Sequence, residues 1–191
     1  RPLVGVVGEI FLRFNSFGNQ HIIKRIEDMG GEVWITPISE WVWYTNWEEK
    51  RKLREAGRTF TLESLTCRIR HLVQKADSFL LHRPLKDLLH RRPEIAVEKV
   101  LSYSLPYLPA NKALGEMTLN SGGAIAFREN GCSGVIDISP FSCMNGIVTE
   151  AVYPRISGEH NDFPVRIFYF DGIPADLDSH LEIFMEQVRG F

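Results

Sequence analysis

Cys143 stands in the run Ser139-Pro140-Phe141-Ser142-Cys143-Met144-Asn145-Gly146, directly after the apolar stretch Gly134-Val135-Ile136-Asp137-Ile138. A strand followed by a helix puts this thiol in the first helical turn, with Ser142 as the N-cap. Unpaired backbone N–H groups and the helix dipole favour a thiolate there, able to ligate iron or to attack an electrophile. The alternative is a buried thiol acting as a small apolar side chain. A nucleophile also needs a base within reach. None of His21, His71, His82, His90, His160 and His180 falls in a loop that follows a strand, which speaks against a Cys/His enzyme. Cys132 precedes the same strand that Cys143 follows. At roughly 3.3 Å per strand residue the two thiols lie at opposite edges of the sheet. Cys67 falls about 140° from the centre of its helix's apolar stripe, at 3.6 residues per turn, and is expected to point away from the core.

Glu9, Arg13 and Asn15 form a second group, on a stretch read as one short loop. A guanidinium that forks onto phosphate or carboxylate, beside a carboxylate and an amide, can orient an anionic or acyl ligand. An internal Glu–Arg pair that stiffens the loop is the competing reading. Gly115-Glu116 and Asn120-Ser121-Gly122-Gly123 form a third group. Glycines beside a helix start can offer N–H groups to an anion, or they can simply cap the helix. Glu116 and Asn120 are its candidate binding residues. Trp41, Trp43, Tyr44 and Trp47 can stack on a ligand or anchor a partner, or pack a helical lobe.

The elements that must position these residues follow from periodicity. Leu3–Val7, Glu32–Thr36, Gly134–Ile138 and Val165–Phe170 are short apolar runs bounded by Gly or Pro, as strands are. Helices are expected at 19–29, 118–129, 142–156 and 176–188. Alternating strands and helices imply an α/β fold: a four-stranded parallel sheet flanked by helices, with right-handed crossovers. Ligands of such sheets bind beyond the carboxyl ends of the strands, where Gly8-Glu9 and Cys143 fall. A helical insertion lobe is expected at about 39–107 within one α/β domain, with a short helix at 94–103. In it Leu62, Leu65, Ile69, Leu72, Val73, Ala76, Phe79 and Leu80 share one stripe, the expected core face of a helix that Pro84 ends.

Composition narrows the function classes. With 44% hydrophobic and 24% charged residues, the chain can bury a core and stay in solution. No apolar run reaches the roughly 20 residues of a membrane helix. Three cysteines with no CxxC pair and no leader fit reduced thiols in the cytoplasm. Glu48 to Arg92 carries 12 basic and 6 acidic residues, while the remainder carries 10 basic and 18 acidic. That basic segment points to an anionic partner, or to a solvated helix surface with internal ion pairs. It is too diluted by acids for nucleic acid. A chain that opens at Arg1 directly on a strand is expected to be a piece of a longer protein.

Gly5-Val6-Val7-Gly8-Glu9-Ile10, Arg13-Phe14-Asn15, Gly30-Gly31-Glu32-Val33-Trp34 and Ser39-Glu40-Trp41 continue into Gly115-Glu116-Met117, Pro140-Phe141-Ser142-Cys143-Met144 and Tyr169-Phe170-Asp171-Gly172. This ordered set, covering nearly the whole chain, resembles the activase-related proteins of the 2-hydroxyacyl-CoA dehydratase family. The resemblance implies two similar Rossmann/flavodoxin-like α/β halves with a [4Fe–4S] cluster held between them by cysteines. It also implies an ATP-dependent activase as partner and an acyl-CoA as substrate. Cys143 matches the family's cysteine after Pro-Phe and is the candidate cluster ligand. The chain departs from the family's Cys-Met-Pro at Cys143-Met144-Asn145, which leaves that turn less constrained. On the resemblance this chain is the second half, a partial iron–sulfur site completed by the remaining half of the parent. The other readings are a non-catalytic module that docks a partner through its basic lobe, and a CoA- or nucleotide-binding domain.

Overall fold

The computed structural model describes residues 1–85, 92–113, 115–173 and 176–191. His90 and part of the basic segment lie outside the described residues. In chain order the elements are β1 (Leu3–Gly8), α1 (Ile10–Phe14), α2 (Ile22–Asp28), β2 (Glu32–Ile35), α3 (Ser39–Glu55), α4 (Leu62–His82), α5 (Val97–Ser104), α6 (Glu116–Glu129), β3 (Gly134–Pro140), α7 (Met144–Glu159), β4 (Val165–Phe170) and α8 (Leu177–Gly190). The chain divides into two compact units, Arg1–Thr36 with Lys99–Phe191, and Pro37–Glu98.

The first unit is a four-stranded sheet of order β2-β1-β3-β4. Every pairing is parallel, with Val4 opposite Gly134 and Val135 opposite Val165. It is the Rossmann/flavodoxin-like arrangement expected of the alternating pattern. Successive side chains of β1 serve opposite faces. Val4 and Val6 pack in one core with Ile22 and Ile26 of α2 and with Leu181 and Phe184 of α8. Gly5 and Val7 meet α6, through Phe127 and Gly123. Helices thus cover both faces, and the strands are buried apolar runs.

The run Asn120-Ser121-Gly122-Gly123 was expected beside a helix start. It lies buried in the middle of α6 instead. Gly122 is there for close packing: a Cβ would sit 2.1 Å from the Val100 carbonyl oxygen. The helix begins at Glu116, after Gly115, so no glycine amide of the run is free for an anion. Ser142 is not the cap of α7 either. It adopts φ +63°, and Cys143 occupies the N-cap position.

The second unit pairs α3 with α4. Asn46 Nδ2 donates to Gln74 Oε1 at 2.6 Å, and Glu49 pairs with Arg70 at 3.0 Å, so the helices run antiparallel. Thr61 caps α4 by accepting from Ser64 N. The helix ends at His82, before Pro84, as expected. Two expectations fail in this unit. The stripe from Leu62 to Leu80 is exposed rather than core, with Leu62 82% accessible. Cys67 is buried at 1% instead of pointing away. Periodicity shows which residues share a face but not which face finds a partner. Here the polar face, Ser64, Cys67, His71 and Gln74, is the covered one. Trp41, Tyr44 and Trp47 pack ring on ring, and Trp43 stands edge-on to His71 while its Nε1 donates to Glu94. Among the described residues no helix is long and apolar enough to cross a membrane.

Candidate functional site

The strand order reverses direction at β1, which has β2 on one side and β3 on the other. The crevice beyond the carboxyl ends of β1 and β3 is therefore the topological switch point, where sheets of this kind take their ligands. Gly8 ends β1 there with φ +119°, and a Cβ on it would lie 2.2 Å from the Ile138 carbonyl. Only glycine lets the two strand ends approach this closely.

The sequence-derived candidates separate at this edge. Glu9 turns its carboxylate onto its own helix, accepting from Phe11 N at 3.0 Å and Leu12 N at 2.8 Å as the N-cap of α1. Asn15 accepts from Gly18 N at 2.9 Å and closes the next turn. Arg13 is buried and donates through Nη1 to the Thr36 carbonyl at 2.9 Å. Each of the three thus already holds a hydrogen-bond partner within the protein. The stretch read as a loop is a short helix, with Glu9 as its cap and Asn15 closing the turn after it.

Glu116 and Asn120 do join the strand ends. Ile10 N donates to Glu116 Oε1 at 3.2 Å, and Asn145 Nδ2 donates to Glu116 Oε2 at 3.4 Å. One carboxyl thus ties together the starts of α1, α6 and α7. Burial pushes this carboxyl above its usual range, and the Glu9 carboxylate adds to the shift. The Ile10 amide, Arg13 and Asn145 oppose it. Asn120 accepts from Gly8 N at 3.1 Å and turns its amide toward Asp137 at 3.5 Å.

Asp137 is the residue that sequence reasoning passed over. It sits in β3 with no accessible surface. Tyr153 OH donates to its Oδ2 at 2.5 Å and Thr149 Oγ1 at 2.9 Å. Burial raises its carboxyl to about 6, against the opposing pull of Tyr153, Thr149, Arg13 and Asn120. A charge in the middle of an apolar strand was the available signal, because a buried carboxylate must find donors or take up a proton. Asn145 gave a fainter one, as an amide standing two residues into a helix start.

Cys143 lies at the same edge of the sheet, partly exposed, at the N-terminus of α7. Its N–H donates to Pro140 O at 3.1 Å. Cys132, ahead of β3, is buried, as is Cys67 in the helical unit. All three are free thiols. Among the described residues no group of three or more His, Cys, Asp or Glu side chains gathers as a metal-ligand set. A cubane cluster takes about four thiolates. This chain's residues fit one ligand position and not a whole cluster.

Compared with protein-family models, with curated proteins and with solved structures, the chain matches none. What the fold and the edge define is a class: a doubly wound α/β unit whose switch point carries two raised carboxyls, Glu116 and Asp137, and two amides, Asn120 and Asn145.

Proposed function

We propose that this chain is one α/β half of a protein of the 2-hydroxyacyl-CoA dehydratase and activase type, giving Cys143 as one thiolate to a [4Fe–4S] cluster. The remaining half supplies the other ligands, an ATP-dependent activase is the partner, and an acyl-CoA is the substrate. One observation carries this reading. Of three cysteines, Cys143 alone stands partly exposed at the carboxyl edge of the sheet, on a helix N-terminus. That placement leaves its sulfur accessible to a group bound at this edge of the sheet. The cluster, when bound, supplies one-electron chemistry. The chain's own residues hold the edge: Gly8 brings β1 against β3, and Glu116 ties the helix starts together.

The protein that carries this chain, isolated without oxygen from the cells that make it, should contain about four iron and four sulfide per protein molecule. An iron-free preparation with every thiol intact counts against the reading.

A second reading has its own observation. Glu116 and Asn145 meet at the switch point, where a small polar ligand binds in folds of this class. In this reading the ligand is CoA or a nucleotide, held by Glu116 and Asn145 rather than by Glu9, Arg13 and Asn15. Calorimetry with CoA esters tests it. Heat that vanishes in Asn145→Ala supports it, and silence at millimolar ligand discards it.

A further inference from the structure

The helical unit is built with its polar face inward. Ser64, Cys67, His71 and Gln74 of α4 meet α3, where the Asn46–Gln74 hydrogen bond and the Glu49–Arg70 pair hold the contact. The opposite face is apolar and open. Leu62, Leu65, Ile69, Leu72, Ala76 and Phe79 are all exposed. Their spacing alternates between three and four residues along the whole helix. That is the a and d pattern of a coiled-coil seam. Val73 and Leu80, at e positions, widen the seam. Apolar side chains leave water at a gain in free energy, so a helix this apolar has much to gain from a cover. A contiguous exposed patch of this kind marks an interaction surface.

We propose that α4 docks an amphipathic helix of another protein, packed along this seam and carrying Asp or Glu along the margin that meets Arg68 and Lys75. Those two residues are exposed and one heptad apart, at g positions. Among the described residues neither forms an ion pair. In coiled coils the e and g positions choose the partner by charge. A second copy of this chain does not complement the row. Parallel, it sets Arg68 and Lys75 against Val73 and Leu80; antiparallel, it sets basic against basic. An anionic bilayer favours basic residues on both margins. The other margin here carries Glu63, Arg70 and Asp77, a mixed row. The inference stands apart from the cluster reading, because Cys143 plays no part in it.

The test uses the full chain and two fluorescein-labelled synthetic heptad peptides with Leu at a and d. One carries Glu at e and g, the other Lys. Anisotropy should show the Glu peptide binding roughly tenfold or more tightly than the Lys peptide, a difference that shrinks with added salt. Leu65→Asp with Leu72→Asp should abolish binding while the helix content by circular dichroism stays unchanged, since both positions are exposed. Arg68→Glu with Lys75→Glu should invert the preference between the peptides. The proposal is overturned if neither peptide binds, or if both bind equally. Binding that survives Leu65→Asp with Leu72→Asp also overturns it. So does sedimentation showing a dimer that these substitutions dissociate, which assigns the seam to a second copy. Recovery of the chain on phosphatidylserine–phosphatidylcholine vesicles without peptide binding assigns it to a membrane surface.

Discussion

Asp137 buries a titratable carboxyl in the middle of the sheet. Its carboxyl is fully buried and held at about 6, above the ordinary 3.8. A group whose native pKa lies above its unfolded one supports folding most when both states are protonated. That support is lost as pH rises through the unfolded and then the native pKa. Asp137 therefore favours the folded chain below pH about 4 and loses that contribution by pH about 6–7. At about 1.4 kcal/mol per unit the swing is roughly 3 kcal/mol. Relative to Asp137→Asn, the wild-type urea midpoint should fall between pH 4 and pH 7, while parallel profiles would show that the carboxyl is not held up. Gly8 is a second residue under constraint. Gly8→Ala places a Cβ at φ +119° against a backbone oxygen and should cost about 3 kcal/mol or more, read as a lower thermal midpoint. An unchanged midpoint would mean that β1 and β3 do not close in this way.

At the scale of elements, the strands were the most legible part. Each of the four apolar runs forms a strand, because a buried parallel strand writes itself as a short β-branched block between breakers. Helix ends were less legible. The α7 cap moved from Ser142 to Cys143, since a left-handed turn at Ser142 leaves no mark in residue type. The face of α4 could not be read at all. Two 3–4 patterns run along that helix, one apolar and one through Ser64, Cys67, His71 and Gln74, and only the second meets α3. The candidate site was half legible for a related reason. Glu116 and Asn120 reach the strand ends, but Glu9 and Asn15 are spent on their own backbone, a use that no loop-level reading reveals. Helix α4 also supplies a clean test of its cap. Thr61→Ala removes the oxygen that accepts from Ser64 N and should destabilise the helical unit by about 1 kcal/mol, measured as increased amide exchange over the first turn. Exchange no faster than in the wild type would place the start of α4 elsewhere.

At the scale of the whole molecule, two surfaces carry the proposals, one on each unit. The sheet unit presents one thiol at its carboxyl edge, a single donor where a cluster takes about four. The helical unit presents an apolar seam edged by Arg68 and Lys75. Under the two proposals each surface is completed by a group from outside the chain. The cluster reading is the central claim, and the cysteines separate it from its rivals. Electron paramagnetic resonance of the anaerobic, reduced protein that carries this chain tests it most directly, with Cys143→Ser and Cys132→Ser compared with the wild type. The account predicts a cluster signal that Cys132→Ser leaves alone and Cys143→Ser shifts or removes. A wild-type protein without that signal, or a signal that Cys143→Ser leaves unchanged, contradicts it.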